Sequence, residues 1–121
     1  MQLLYLDFDF SDEESGRGSF DAMAAVDASR LPALIAEIEA VLQWAGSAWG
    51  RAGALEDDGE WDFMLQGVIE PDTPLSVAYD ERARAVKLPD PPRGALVTLT
   101  LTLSGSTAFC QALREAFELS D

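Results

Sequence analysis

An α+β fold is predicted for this chain: one antiparallel sheet of about five to six strands with two helices packed on one of its faces, in the order β-β-α-β-β-β-β-α. Two observations lead there. Alternation of apolar and polar residues recurs in segments far apart in the sequence, and two other stretches repeat their apolar residues every three or four positions. Each strand so read has one apolar side and each helix one apolar stripe, and helices on a single sheet face are the simplest way to bury both.

In chain order, Leu3 to Phe10 predicts the first strand, with Leu4, Leu6, Phe8 and Phe10 on one side and Tyr5, Asp7 and Asp9 on the other. After a polar, glycine-containing turn, Phe20, Ala22, Ala24 and Val26 alternate with Ser19, Asp21 and Met23 and complete a hairpin. Ser29 stands where a helix cap is wanted and Pro32 falls in the first turn. Leu31, Leu34, Ile35, Ile38, Val41, Leu42 and Ala45 then form a helical stripe, Glu37, Glu39 and Gln43 point away from it, and Gly46 is the stop. A loop anchored by Trp49 and Leu55 leads to the acidic tip Glu56-Asp57-Asp58-Gly59-Glu60.

Trp61, Phe63, Leu65, Gly67 and Ile69 oppose Asp62, Met64, Gln66 and Val68 in the next strand, and Pro71 and Pro74 bracket a turn. Leu75 to Tyr79 and Arg84 to Leu88 read as two short strands, with a short helix over Asp80 to Lys87 as the alternative. Beyond a proline-rich connector, Ala95 to Leu103 sets Val97, Leu99, Leu101 and Leu103 against three threonines. Ser104-Gly105-Ser106 should break that strand, Ser106 should cap the last helix, and Phe109, Leu113 and Phe117 should form its stripe.

A length of 121 residues suits one domain over 1–121, and 48% hydrophobic with 25% charged residues is the composition of a folded globular protein. With 8 basic against 22 acidic side chains the formal charge is -14, which repels nucleic acid phosphates and anionic lipid surfaces and favours a basic partner. No signal-peptide pattern or membrane-length apolar run is present and Cys110 is the sole cysteine, so a cytoplasmic setting is expected.

The residue inventory removes several chemistries. Without histidine there is no Ser-His-Asp or Cys-His arrangement and no imidazole metal ligand, and one cysteine cannot build a thiolate zinc site. Lys87 is the single lysine, and no Walker-type phosphate loop occurs. No cofactor is expected.

Asp7-Phe8-Asp9 resembles the D-x-D element with which phosphotransferases of the haloacid dehalogenase type supply a nucleophile and a Mg²⁺ ligand, two residues apart on one strand face. The remainder of that pattern is missing: the chain is short for such a parallel α/β domain, and its later strands alternate as antiparallel ones do. Glu56 to Glu60 is similar to a calcium loop, but its first position falls on Ala54 and its closing bidentate position on Leu65, so the pattern is broken at both ends. Cys110 falls at core spacing with Leu113 and Phe117 and reads as buried and inert.

The expected function is that of a non-catalytic acidic protein-binding domain, such as an immunity protein or an adaptor. It would dock a basic partner on an exposed sheet face carrying Tyr5, Asp7, Asp9, Asp21, Met23, Asp62, Met64 and Gln66. The alternatives are a small Mg²⁺-dependent carboxylate enzyme built on Asp7 and Asp9, and a homo-oligomer that buries the open face against itself.

Overall fold

A computed structural model describes residues 2–53 and 59–119. The elements run β1 (Asp9–Asp12), β2 (Gly18–Asp27), α1 (Leu31–Trp49), β3 (Trp61–Ile69), β4 (Thr73–Leu75), β5 (Ala78–Asp80), β6 (Ala85–Lys87), β7 (Leu96–Gly105) and α2 (Thr107–Phe117). Five strands form one sheet in the order β1-β2-β7-β3-β4, every neighbouring pair antiparallel, and β5 with β6 makes a separate hairpin. The α+β class, the antiparallel sheet and the two helices are as predicted. The anchor expected at Leu55 and most of the acidic tip at Glu56 to Glu60 lie outside the described residues.

β7 is the centre of the sheet, and its alternation translates directly into two environments. Val97, Leu99, Leu101 and Leu103 are fully buried beneath Leu34, Ile38, Val41 and Ala45 of α1 and Phe109 and Leu113 of α2. Burial of a large aliphatic side chain stabilises by roughly 1.5–3 kcal/mol, so this layer dominates the fold. Phe109 sits in a ring of tryptophans: Trp44 at 5.9 Å, Trp49 at 5.8 Å and Trp61 stacked at 5.7 Å between centroids. That packing carries α1 through Gly46 to Trp49, three residues beyond the predicted stop. The helix tolerates an interior glycine, at a cost of about 1 kcal/mol, because the turn beyond it packs the partly buried Trp49 indole against Phe109 of α2. Gly50 at φ 80° ends it instead, and its carbonyl accepts the buried Trp61 Nε1–H at 3.0 Å.

Ser104 and Gly105 do not break β7; they pair with Ser19 and Gly18 of β2 and with Asp62 and Trp61 of β3. Glycine is demanded there, since a Cβ on Gly105 would lie 2.5 Å from the Phe109 ring and 2.8 Å from the Glu60 carbonyl. Ser106 does cap α2, accepting the Phe109 N–H at 3.2 Å. At the start of α1, by contrast, the expected cap is misassigned. Ser29 is a donor, and the Asp27 carboxylate takes its N–H, its hydroxyl and the Arg30 N–H, turning β2 into the helix. Those bonds, the Ser29 hydroxyl first, hold the Asp27 carboxyl below the usual range.

The largest departure is the N-terminal segment. Only Asp9–Asp12 is strand; before it the chain bends, burying Leu6 and Phe8 but leaving Leu4 87% exposed. The reason is Glu37, expected on the outer side of α1 but only 8% exposed. Its carboxylate accepts the N–H groups of Leu4 at 2.7 Å, Tyr5 at 3.0 Å and Leu6 at 3.1 Å, replacing the ladder bonds that an edge strand would have made.

The other two residues read as pointing away are also engaged. Glu39 accepts the Val86 N–H at 2.8 Å, and Gln43 donates to the Arg84 carbonyl at 2.7 Å. The predicted strand over Leu75 to Tyr79 is thereby divided: Leu75 closes β4 in the main sheet, whereas Ala78 opens the hairpin that is fastened to α1. The alternative helix over Asp80 to Lys87 does not form. Asp80 Oδ1 takes the N–H groups of Arg82 and Ala83, and Arg84 at φ 57° reverses the chain into β6.

Candidate functional site

The sheet has one face under the helices and one bare. Registers align the bare side in rows across the strands: Ser11, Ser19, Ser104 and Asp62; then Asp9, Asp21, Thr102 and Met64; then Met23, Thr100 and Gln66; then Ala25, Thr98, Val68 and Pro74. Side chains in one row are direct neighbours and interact across strands. Asp21 accepts the Thr102 hydroxyl at 2.7 Å, Thr98 donates to Glu70 at 2.5 Å, and Asp62 takes the Phe63 N–H at 2.8 Å. Gln66 reaches the Met64 sulfur at 3.6 Å.

Of the residues expected on this face, Asp9, Asp21, Met23, Asp62, Met64 and Gln66 are brought together there. Tyr5 and Asp7 are not, because they precede β1 in the segment that Glu37 draws toward α1. Tyr5 is half-buried against the core and Asp7 is exposed. Asp7 and Asp9 consequently do not share a strand face, the arrangement on which the D-x-D resemblance rested. Among the described residues no three Asp, Glu or Cys side chains gather as ligands for one metal ion.

The bare face is chemically distinct from an ordinary solvated sheet surface. Met23 and Met64 are 69% and 58% exposed, among the few large apolar side chains left to water, and carboxylates and hydroxyls surround them. No strand position turned to this side is Lys or Arg. The face can therefore offer a deformable apolar centre inside a negative rim.

Elsewhere, Cys110 is buried beside Gly18, and burial pushes its thiol above the ordinary value, consistent with a packing role. Arg114 lays its guanidinium 4.0 Å over the Phe10 ring, closing the core where β1 meets α2. A cleft between α1 and the hairpin, lined by three arginines, had no counterpart in the sequence reading; Arg82 and Arg84 two apart in a turn were its only sequence trace. No helix among the described residues is long and apolar enough to cross a membrane. Comparison with protein-family models, with curated proteins and with solved structures gave no match.

Proposed function

We propose that this chain is a non-catalytic binding domain whose bare sheet face docks a basic surface of a protein partner, as an immunity protein or an adaptor docks its target. The observation that carries this reading is the pair of exposed methionines set among Asp9, Asp21 and Asp62 on a face without a cation. Methionine adapts its shape to the surface it meets, and a carboxylate rim steers a basic partner into register and discourages wrong ones. The net charge of -14 adds a long-range field of the same sign.

Self-association through the same face is the weaker reading. A two-fold interface would bring Asp9, Asp21 and Asp62 of one copy against the same patch of the other, where like charges repel.

Affinity capture from the native cell with two baits, the parent chain and Asp9→Lys/Asp62→Lys, tests the proposal. A basic protein held by the parent, eluted by moderate salt and lost by the charge-reversed bait is the expected result. A partner retained equally by both baits would put the interface elsewhere on the molecule.

A further inference from the structure

Cations are scarce in this chain, eight in all, yet Arg51, Arg82 and Arg84 line one cleft of about 370 Å³ on the helix side of the sheet. A cleft of that size is in the range of small-molecule sites. One wall is the C-terminal part of α1 and the other is the tip of the β5–β6 hairpin, which brings Tyr79.

Three features fix this geometry without serving the core. Gly46 stands inside α1, where glycine is unfavourable, and a Cβ there would meet nothing within 4 Å, so no neighbour requires its absence; what glycine provides is a bare wall. Arg84 holds a left-handed backbone at φ 57°, a conformation that glycine or asparagine adopts at lower cost. Its carbonyl is pinned by Gln43 and its Nη2 donates to Ser47 Oγ at 2.9 Å. Asp80 caps the N–H groups of Arg82 and Ala83, which defines the backbone of the turn that carries both arginines. One carboxylate, Glu81, shares the lining. A planar guanidinium fork matches carboxylate and phosphate oxygens bidentately, as the point charge of lysine does not, and the Arg84 fork is positioned by Ser47.

We propose that this cleft binds a small organic oxyanion, its carboxylate or phosphate on Arg82 and Arg84 and a flat apolar body against Gly46, Leu42 and the Tyr79 ring. The site is on the opposite side of the sheet from the bare face and is independent of the function proposed for that face. Helix C-termini favour cations in their own right, so the competing role for these arginines is to complement the end of α1 with no ligand at all.

Amide NMR of the whole chain, titrated with benzoate and separately with phenyl phosphate at constant ionic strength, decides between them. Saturable shifts confined to Gly46, Ser47, Gly50, Tyr79, Arg82 and Arg84 are expected, and whichever anion saturates first identifies the headgroup. In Arg82→Gln/Arg84→Gln the affinity should fall at least tenfold, while Arg93→Gln, in the separate cleft beside Asp27, should bind as the parent does. Gly46→Leu should raise the melting temperature and abolish binding, because it improves the helix while filling the wall; it keeps the test valid should the double arginine variant fold poorly. Absence of saturable shifts with either anion, shifts unchanged in the double variant, or parent-like binding by Gly46→Leu would overturn the proposal.

Discussion

The two sides of β7 are made by one strand and behave as two materials. On the helix side Val97, Leu99, Leu101 and Leu103 are fully buried; on the other, Thr100 and Thr102 lie beside Met23, Asp21 and Met64, and Thr98, bonded to Glu70, is the strand's one buried threonine. Side-chain period two is the cause, and its consequence is that core packing and the surface proposed for docking occupy opposite faces of one strand. A substitution should therefore report on one property or the other according to its parity along the strand.

The sharpest way to break that separation is at the strand's centre. Leu101→Ala should cost roughly 2 to 5 kcal/mol in denaturant unfolding, whereas Thr100→Ala next to it should cost under about 1 kcal/mol. Comparable losses at both positions would mean that the bare face is packed against something.

Glu37→Ala comes next. It removes the acceptor of three backbone N–H groups, and a loss on the order of 2 to 3 kcal/mol is expected, with faster amide exchange at Leu4, Tyr5 and Leu6 and little change in β7. Exchange in that segment unchanged from the parent would show that Leu6 and Phe8 hold it without the carboxylate.

Asp27→Ala should have a smaller effect, and one that depends on pH. The folded-state pKa of Asp27 is depressed, so its contribution is complete above the ordinary aspartate value near ~4 and is lost as pH falls through the lower folded value. The melting-temperature gap between parent and variant should be largest near neutrality and narrow in acid. A gap that widens in acid would contradict the capping geometry at the β2–α1 turn.

How much of this was legible beforehand differs between β7 and the N-terminal segment, although both alternate cleanly. In β7 the ladder groups on both edges are claimed by β2 and β3, so alternation decided the structure. Residues 3–8 would have formed only an edge, and there a single buried carboxylate from a helix supplied a rival set of acceptors. Apolar periodicity locates the stripe of α1 but says nothing about Glu37, Glu39 and Gln43, whose partners are backbone groups 31 to 47 residues away. The same blindness explains the candidate site. Asp9, Asp21, Asp62, Met64 and Gln66 were readable because strand parity places them, Tyr5 and Asp7 were lost with the edge strand, and the arginine cleft needed the hairpin's position on α1.

Asp9→Lys/Asp62→Lys should change stability by no more than about 0.5 kcal/mol, the smallest effect here, since both side chains stand on the side of the sheet that no helix covers. That neutrality lets the variant isolate docking at the bare face, measured as the association rate of the captured partner against ionic strength. The parent should associate much faster at low salt, the variant should be slowed there, and the two rates should converge as the Debye length shrinks toward about 3 Å at 1 M salt. Equal rates for parent and variant across the whole salt range would contradict docking at the bare sheet face.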